Sequence, residues 1–219
     1  MDQSRKIKKE IVEAGRRLYQ KGFVAANEGN ISVRLKDKIV VTPTMRCKGF
    51  LAVEDLVTMD LRGRKIEGAL EPTSELLLHL HVYRKRPDVT TIIHAHPPYS
   101  TALATAGLEL PGDVLPEVFL SLGRIPLAAF GTPSTQELPD SIDDLIMLHD
   151  ALLLRNHGVL TVGKEPEETY FKLERVEHFA KIFFIASSLG KVNRLSIRDI
   201  EKLKKIRSSP NANPKKNGK

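Results

Sequence analysis

An α/β chain whose helices cover a mixed or antiparallel sheet is what this 219-residue sequence predicts. Helical and strand-like patterns alternate along it, yet several neighbouring strand candidates are joined by only a few residues. Parallel strands would need a crossover much longer than that. The glycine-rich phosphate fingerprints of doubly wound parallel sheets are also missing, because "GNIS" and "FGTPST" lack the spacing. That removes most of the case for nicotinamide or ATP chemistry.

The elements follow in order. Residues 3–20 carry Ile7, Ile11, Gly15 and Leu18 near one helical face, with Gly22 as the stop. "ISVRLKDKIVVTP" reads as two short strands joined at Lys36-Asp37, the second ended by Pro43. "AVEDLVTMDLRGRKI" gives a short helical turn, a strand and a loop at Arg62-Gly63. "PTSELLLHLHVYRKR" is a helix with Pro72 and Thr73 at its start and Pro87 beyond its end. "VTTIIHAH" is a strand, and Pro98 opens a helix running to about Thr105. Helices over about 114–122 and 135–148 flank an extended "IPLAAFG". "ALLLRN" and "GVLTVG" are apolar strands separated by a sharp break at His157-Gly158. "PEETYFKLERVEHFAKIFFIASSLG" is the longest helix, stopped by Gly190. Residues 1–206 form one domain, and the basic tail 207–219 has the composition of a disordered segment.

With 41% hydrophobic and 28% charged residues, the chain has the make-up of a soluble globular protein. No apolar stretch reaches the roughly 18 residues of a membrane helix. The basic N-terminus lacks the apolar run of a signal peptide. The single cysteine, Cys47, has no internal partner and reads as an incidental thiol. A cytoplasmic location is the expectation. The net charge of +7 resolves into +3 over residues 1–9 and +4 over 207–219, leaving the other 197 residues neutral. With 5% aromatic residues and no basic body, the chain does not fit a nucleic-acid binder.

Seven histidines are present. His79, His149 and His178 fall within helical patterns and read as structural or surface residues, and His81 points away from His79. His94 and His96 share one face of a strand, and Pro97-Pro98 ends that strand and leaves them at the sheet's edge. Two same-face histidines fit a metal and a purely structural pair equally well. A third donor tips the balance: His157 stands at the break between two apolar strands, flanked by Asn156 and Gly158. Three histidines with an open position are the layout of a catalytic zinc site. Glu75, in the first turn of its helix, fits both a general base and a carboxylate placed there by the helix dipole. Thr73 and Ser74 offer hydroxyls and amides at the same helix start, a natural phosphate seat.

"GNISVR", "VTPT", "PTSE", "HAH" and "NHG", in this order and spacing, resemble the class II aldolase/adducin family, over about residues 5–190. The resemblance implies a three-layer α/β/α sandwich around a mainly antiparallel sheet, assembled as a homotetramer with active sites at subunit interfaces. It implies Zn2+, or another divalent ion such as Mn2+ or Co2+, held by His94, His96 and His157. It implies Glu75 as the catalytic acid–base group, and Asn30, Thr44, Thr73 and Ser74 as ligands of the substrate phosphate. The implied reaction is cleavage of a ketose 1-phosphate, such as L-fuculose 1-phosphate, to dihydroxyacetone phosphate and an aldehyde. A ribulose-phosphate epimerase is the first alternative, and the glutamate at position 75 disfavours it because the epimerase has an aspartate there. A methylthioribulose-phosphate dehydratase ranks below it. Adducin-like binding is disfavoured by the retained histidines.

Two departures stand out. Met45 occupies the position after T-P-T where the family usually has glycine, whose backbone can approach the phosphate, and the basic Arg46 or Lys48 could compensate. The tyrosine that protonates the leaving aldehyde oxygen in aldolases has no counterpart, since no tyrosine follows Tyr170.

Overall fold

The computed structural model describes residues 3–208. The first helix, α1 (Gln3–Gln20), buries Ile11, Ala14, Gly15 and Leu18, the i, i+3, i+4, i+7 stripe of an amphipathic helix. Strands β1 (Asn30–Leu35) and β2 (Lys38–Val41) pair as a hairpin, with Lys36 in the left-handed region at φ 53°. Then come β3 (Val57–Asp60), β4 (Lys65–Glu67), α2 (Leu76–Lys85), β5 (Thr91–Ala95) and α3 (Pro98–Thr105). The chain continues through α4 (Pro116–Ser121), β6 (Leu127–Ala128), α5 (Glu137–Ser141) and α6 (Asp143–Ile146). It closes with β7 (Ala151–Leu154), β8 (Gly158–Gly163), α7 (Pro166–Leu189) and α8 (Ile197–Ser208).

The strands form one eight-stranded sheet in the order β4-β3-β2-β1-β5-β8-β7-β6. Every pairing is antiparallel except the two-residue contact of β6 with β7. Side-chain alternation divides the apolar residues into two cores. Ile31, Val33, Ile93, Ala95 and Val159 pack with α1, α3, α4 and α7 through residues such as Leu18, Leu103, Val118 and Phe179. Ile39, Val41, Ile92, Leu160 and Val162 pack with α2, α5 and α6 through Leu78, Leu80, Leu138 and Ile146. The result is the expected α/β/α sandwich. No helix among the described residues is long and apolar enough to cross a membrane.

Four expectations change. Helix α2 starts at Leu76 with Glu75 as its N-cap, so Pro72 and Thr73 lie before it and Glu75 is not in its first turn. The reason is long-range: Pro43 bridges Pro72, the Thr73 amide donates to the Thr42 carbonyl at 3.1 Å, and the Thr44 amide to that of Glu71 at 3.0 Å. That stretch is pinned in an extended form beside β2 and is not free to coil. The single helix expected over 135–148 is instead α5 and α6, divided at Ile142. Pro139, with no amide hydrogen, is confined to the first turn. The histidines' strand β5 lies inside the sheet, between β1 and β8, so the pair stands at the end of an interior strand and not at an edge. Arg207 and Ser208, placed in the tail by composition, are the last residues of α8, and the rest of that tail, 209–219, lies outside the described residues.

Candidate metal centre

The site grows from one polar strip in the sheet. Asn30 of β1 pairs with His94 of β5, and His94 pairs on its other side with Leu160 of β8. With Ile31 and Val33 turned to one core, Asn30 and Ser32 face the layer of α2. His94 shares that face, since Ile92 two residues earlier lies in the α2 core. His96 follows just past the end of β5.

His157 reaches the pair from the turn between β7 and β8. Asn156 takes the left-handed conformation at φ 55°, which asparagine tolerates better than most residues. At Gly158 an added Cβ would lie 2.5 Å from the Ala95 carbonyl oxygen and 2.6 Å from His96 Cδ2. Glycine is therefore required for the turn to close on the histidines. The three rings form a triangle with centroid separations of 4.6, 4.8 and 5.1 Å. One donor atom from each lies within 4.8 Å of the others.

A hydrogen bond assigns the His94 ring nitrogens. His94 Nδ1 donates to the Val159 carbonyl at 2.9 Å, which leaves Nε2 as a lone pair. The Glu28 carboxylate stands 3.4 Å from His96 Nδ1, and His96 Nε2 is the nitrogen turned towards His94. These two Nε2 atoms are 3.0 Å apart. At that distance the two nitrogens share one hydrogen or face a cation together, and the second arrangement uses both as donors. Burial, and next the neighbouring His157 and His96, hold His94 well below the usual histidine range, and burial also lowers His157. Neutral imidazoles are the form that binds metal.

Glu75 faces this cluster. Its Oε2 is 3.2 Å from His94 Nε2, and its Oε1 is 3.2 Å from His157 Nε2. The residue is 7% exposed, and among the described residues Oε1 has no hydrogen-bond partner. A buried carboxylate with an unsatisfied oxygen beside neutral rings calls for a positive charge. The donor set therefore fits a divalent cation.

Of the expected phosphate ligands, Thr44 and Thr73 lie on the two segments joined by the Pro43–Pro72 bridge, opposite Glu71 and Thr42, and Ser74 follows, exposed. The Thr73 hydroxyl also accepts the Glu75 amide at 3.3 Å. Asn30 is turned inward: its amide donates to Glu75 Oε2 at 2.8 Å, and its carbonyl meets His79 Nε2 at 2.5 Å. Lys48 is not a surface cation for a phosphate. It is 1% exposed, and its ammonium donates to the carbonyls of Asn27 at 2.9 Å and Arg46 at 2.6 Å, tying the two site loops together. Burial pushes its pKa down to about 8. Arg46 remains exposed.

Met45 adopts φ 54°, the left-handed conformation for which glycine is suited. Met45→Gly is expected to stabilise the protein by about 1 kcal/mol, raising Tm by roughly 2–4 °C. A lower Tm in a thermal melt would show that the Met45 side chain contributes more than the strain removes.

Sequence reasoning passed over His79 and Glu28. His79 is fully buried, and its Nδ1 accepts from Ser32 Oγ at 2.6 Å. The missed signal was its position four residues after Glu75, one helical turn along the same face. Burial lowers the His79 pKa to about 4, against 6.5 for an unfolded histidine. The unfolded chain then binds more protons between those values, so this histidine's share of stability is intact above pH 6.5 and is lost as pH falls towards 4. Over that window it amounts to about 3 kcal/mol. His79→Gln should flatten the dependence of unfolding free energy on pH by about one proton, measured by denaturant titration between pH 4 and 6.5. An unchanged slope would contradict the assignment.

Comparison with known proteins identifies the class. The Class II Aldolase and Adducin N-terminal domain profile matches residues 9–184. An L-fuculose phosphate aldolase of Methanocaldococcus jannaschii is 39% identical over 178 residues, covering 80% of this chain and 94% of that protein. A 3-oxo-tetronate 4-phosphate decarboxylase of Pectobacterium atrosepticum is 31% identical over 208 residues, covering 93% and 94%. A solved L-fuculose 1-phosphate aldolase superposes with a TM-score of 0.85 at 29% identity, covering 91% of this chain and 95% of the other. The chain belongs to the class II aldolase and adducin family, and within it to the enzymes that act as lyases.

Proposed function

We propose that the protein is a zinc-dependent aldolase that reversibly cleaves a ketose 1-phosphate of the L-fuculose 1-phosphate kind to dihydroxyacetone phosphate and an aldehyde. The observation that carries the reading is the convergence of the His94 and His96 Nε2 atoms, 3.0 Å apart, beside a Glu75 carboxylate 3.2 Å from His94 and from His157. His94, His96 and His157 would hold the cation, which when bound supplies Lewis-acid polarisation of the substrate carbonyl. Glu75, largely removed from water, carries the proton to and from the carbon that becomes the hydroxymethyl group of dihydroxyacetone phosphate. Thr44, Thr73, Ser74 and the second amide hydrogen of Asn30 seat the phosphate and so fix the bond to be broken. The catalytic unit is residues 1–206. It works in the cytoplasm as a homotetramer, an assembly supported by the exposed Phe171, Phe184, Ile185 and Leu189 along α7. Sedimentation of the purified protein measures that state.

A second reading has a specific support. Relatives of comparable similarity are named decarboxylases as well as aldolases. Breaking a carbon–carbon bond next to a polarised carbonyl serves both reactions, so the same three histidines and Glu75 suit either. The deciding experiment is a panel of ketose 1-phosphates, ribulose 5-phosphate and a phosphorylated 3-oxo acid, followed for dihydroxyacetone phosphate, epimer and carbon dioxide. Release of dihydroxyacetone phosphate supports the proposal. Carbon dioxide or epimer alone overturns it in favour of the decarboxylase or the epimerase.

A further inference from the structure

We infer that His79 is a positioning residue for Glu75, acting through Asn30 to set how the glutamate carboxylate faces His94 and His157. The inference rests on the reading of Glu75 as the acid–base group. Glu75, Asn30, His79, Ser32 and Tyr83 form one chain of hydrogen bonds, and none of the five is more than 7% exposed. Its polarity can be read from the end. An ionised carboxylate only accepts, so Asn30 must present its NH2 to Glu75 Oε2, at 2.8 Å. The Asn30 carbonyl then faces His79 Nε2 at 2.5 Å, and that nitrogen must carry the hydrogen. Burial keeps the ring neutral, so Nδ1 is an acceptor, and Ser32 Oγ donates to it at 2.6 Å. The Tyr83 hydroxyl stands 2.8 Å from Ser32 Oγ and 3.3 Å from the Thr90 carbonyl.

The two links nearest Glu75 exclude the opposite arrangement. A flipped Asn30 would turn its carbonyl on the carboxylate and its NH2 on an N–H. The His79 Nε2 hydrogen holds the Asn30 carbonyl, and that keeps the NH2 on Glu75. Glu75 depends on this. At the N-cap of α2 its side chain makes no capping bond, and Asn30 is the donor the described residues supply to its carboxylate. The amide cannot pass protons along the chain, so the role is orientation and not relay. Such outer partners typically change activity by about 10–100-fold.

The test compares two polar replacements in the full-length, metal-loaded protein. In His79→Gln the side-chain amide can still donate to Asn30. In His79→Asn the shorter amide reaches only towards Ser32. His79→Asn is expected to lower kcat by about 10–100-fold with KM close to wild type, and His79→Gln to retain most of kcat. The readout independent of turnover is the His79 ring N–H proton, which a buried hydrogen bond holds far downfield in the NMR spectrum. Glu75→Gln, two hydrogen bonds away, should shift it. Equal kcat for the two His79 variants, or a resonance unmoved by Glu75→Gln, overturns the inference. A protein that turns over no sugar phosphate would defeat the aldolase reading, and the resonance alone then decides the role of His79.

Discussion

Glu75→Gln is expected to keep its divalent cation and lose turnover by about 10²–10⁴-fold, the range that a positioned acid–base group contributes. The substitution preserves size, and its carbonyl can still accept from Asn30, which now donates at 2.8 Å. What it removes is the ability to take and return a proton at a carboxylate 3.2 Å from two of the candidate ligand nitrogens. Metal content and steady-state kinetics on the same preparation separate the two effects. Unchanged kcat would remove Glu75 from the mechanism. Loss of metal together with activity would make the carboxylate part of the cation's own site.

His96→Ala has the other large effect. The variant should lose the cation by more than the ~10–100-fold that loss of an outer partner costs, and activity should fall with it. His94 is wholly buried and held by Val159, so its replacement would also disturb the sheet. His96 lies past the end of β5 with 22% of its side chain exposed, which makes it the cleaner test. Wild-type protein is expected to carry about one zinc per chain, and chelator competition measures both affinities. Wild type without metal, or a variant with full metal, would defeat the three-histidine assignment.

Local signals transferred to the fold well. The β1–β2 hairpin, α1 and α7 lie where periodicity and stop residues put them, because each is decided by neighbours a few residues away. Pro139 was such a signal too, and it bears on where α5 begins and not on its division from α6 at Ile142. The start of α2 could not be read in this way. The residues that hold Thr73 extended lie about thirty positions earlier, at Thr42–Thr44, and pairing at that distance leaves no trace in helix propensity.

The site divides along the same line. Residue type and spacing marked His94, His96, His157 and Glu75 by themselves: alternation put two imidazoles on one face, and a turn of Asn156 and Gly158 presented the third. Only the tertiary structure decided what surrounds them. It placed Glu28 on His96, turned Lys48 inward and drew His79, Ser32 and Tyr83 into a chain behind Glu75. The physical reason is that a buried polar group must find its partner wherever the fold supplies one. Ser32 and His79 are 47 residues apart, and nothing but the packing of α2 against β1 brings them together.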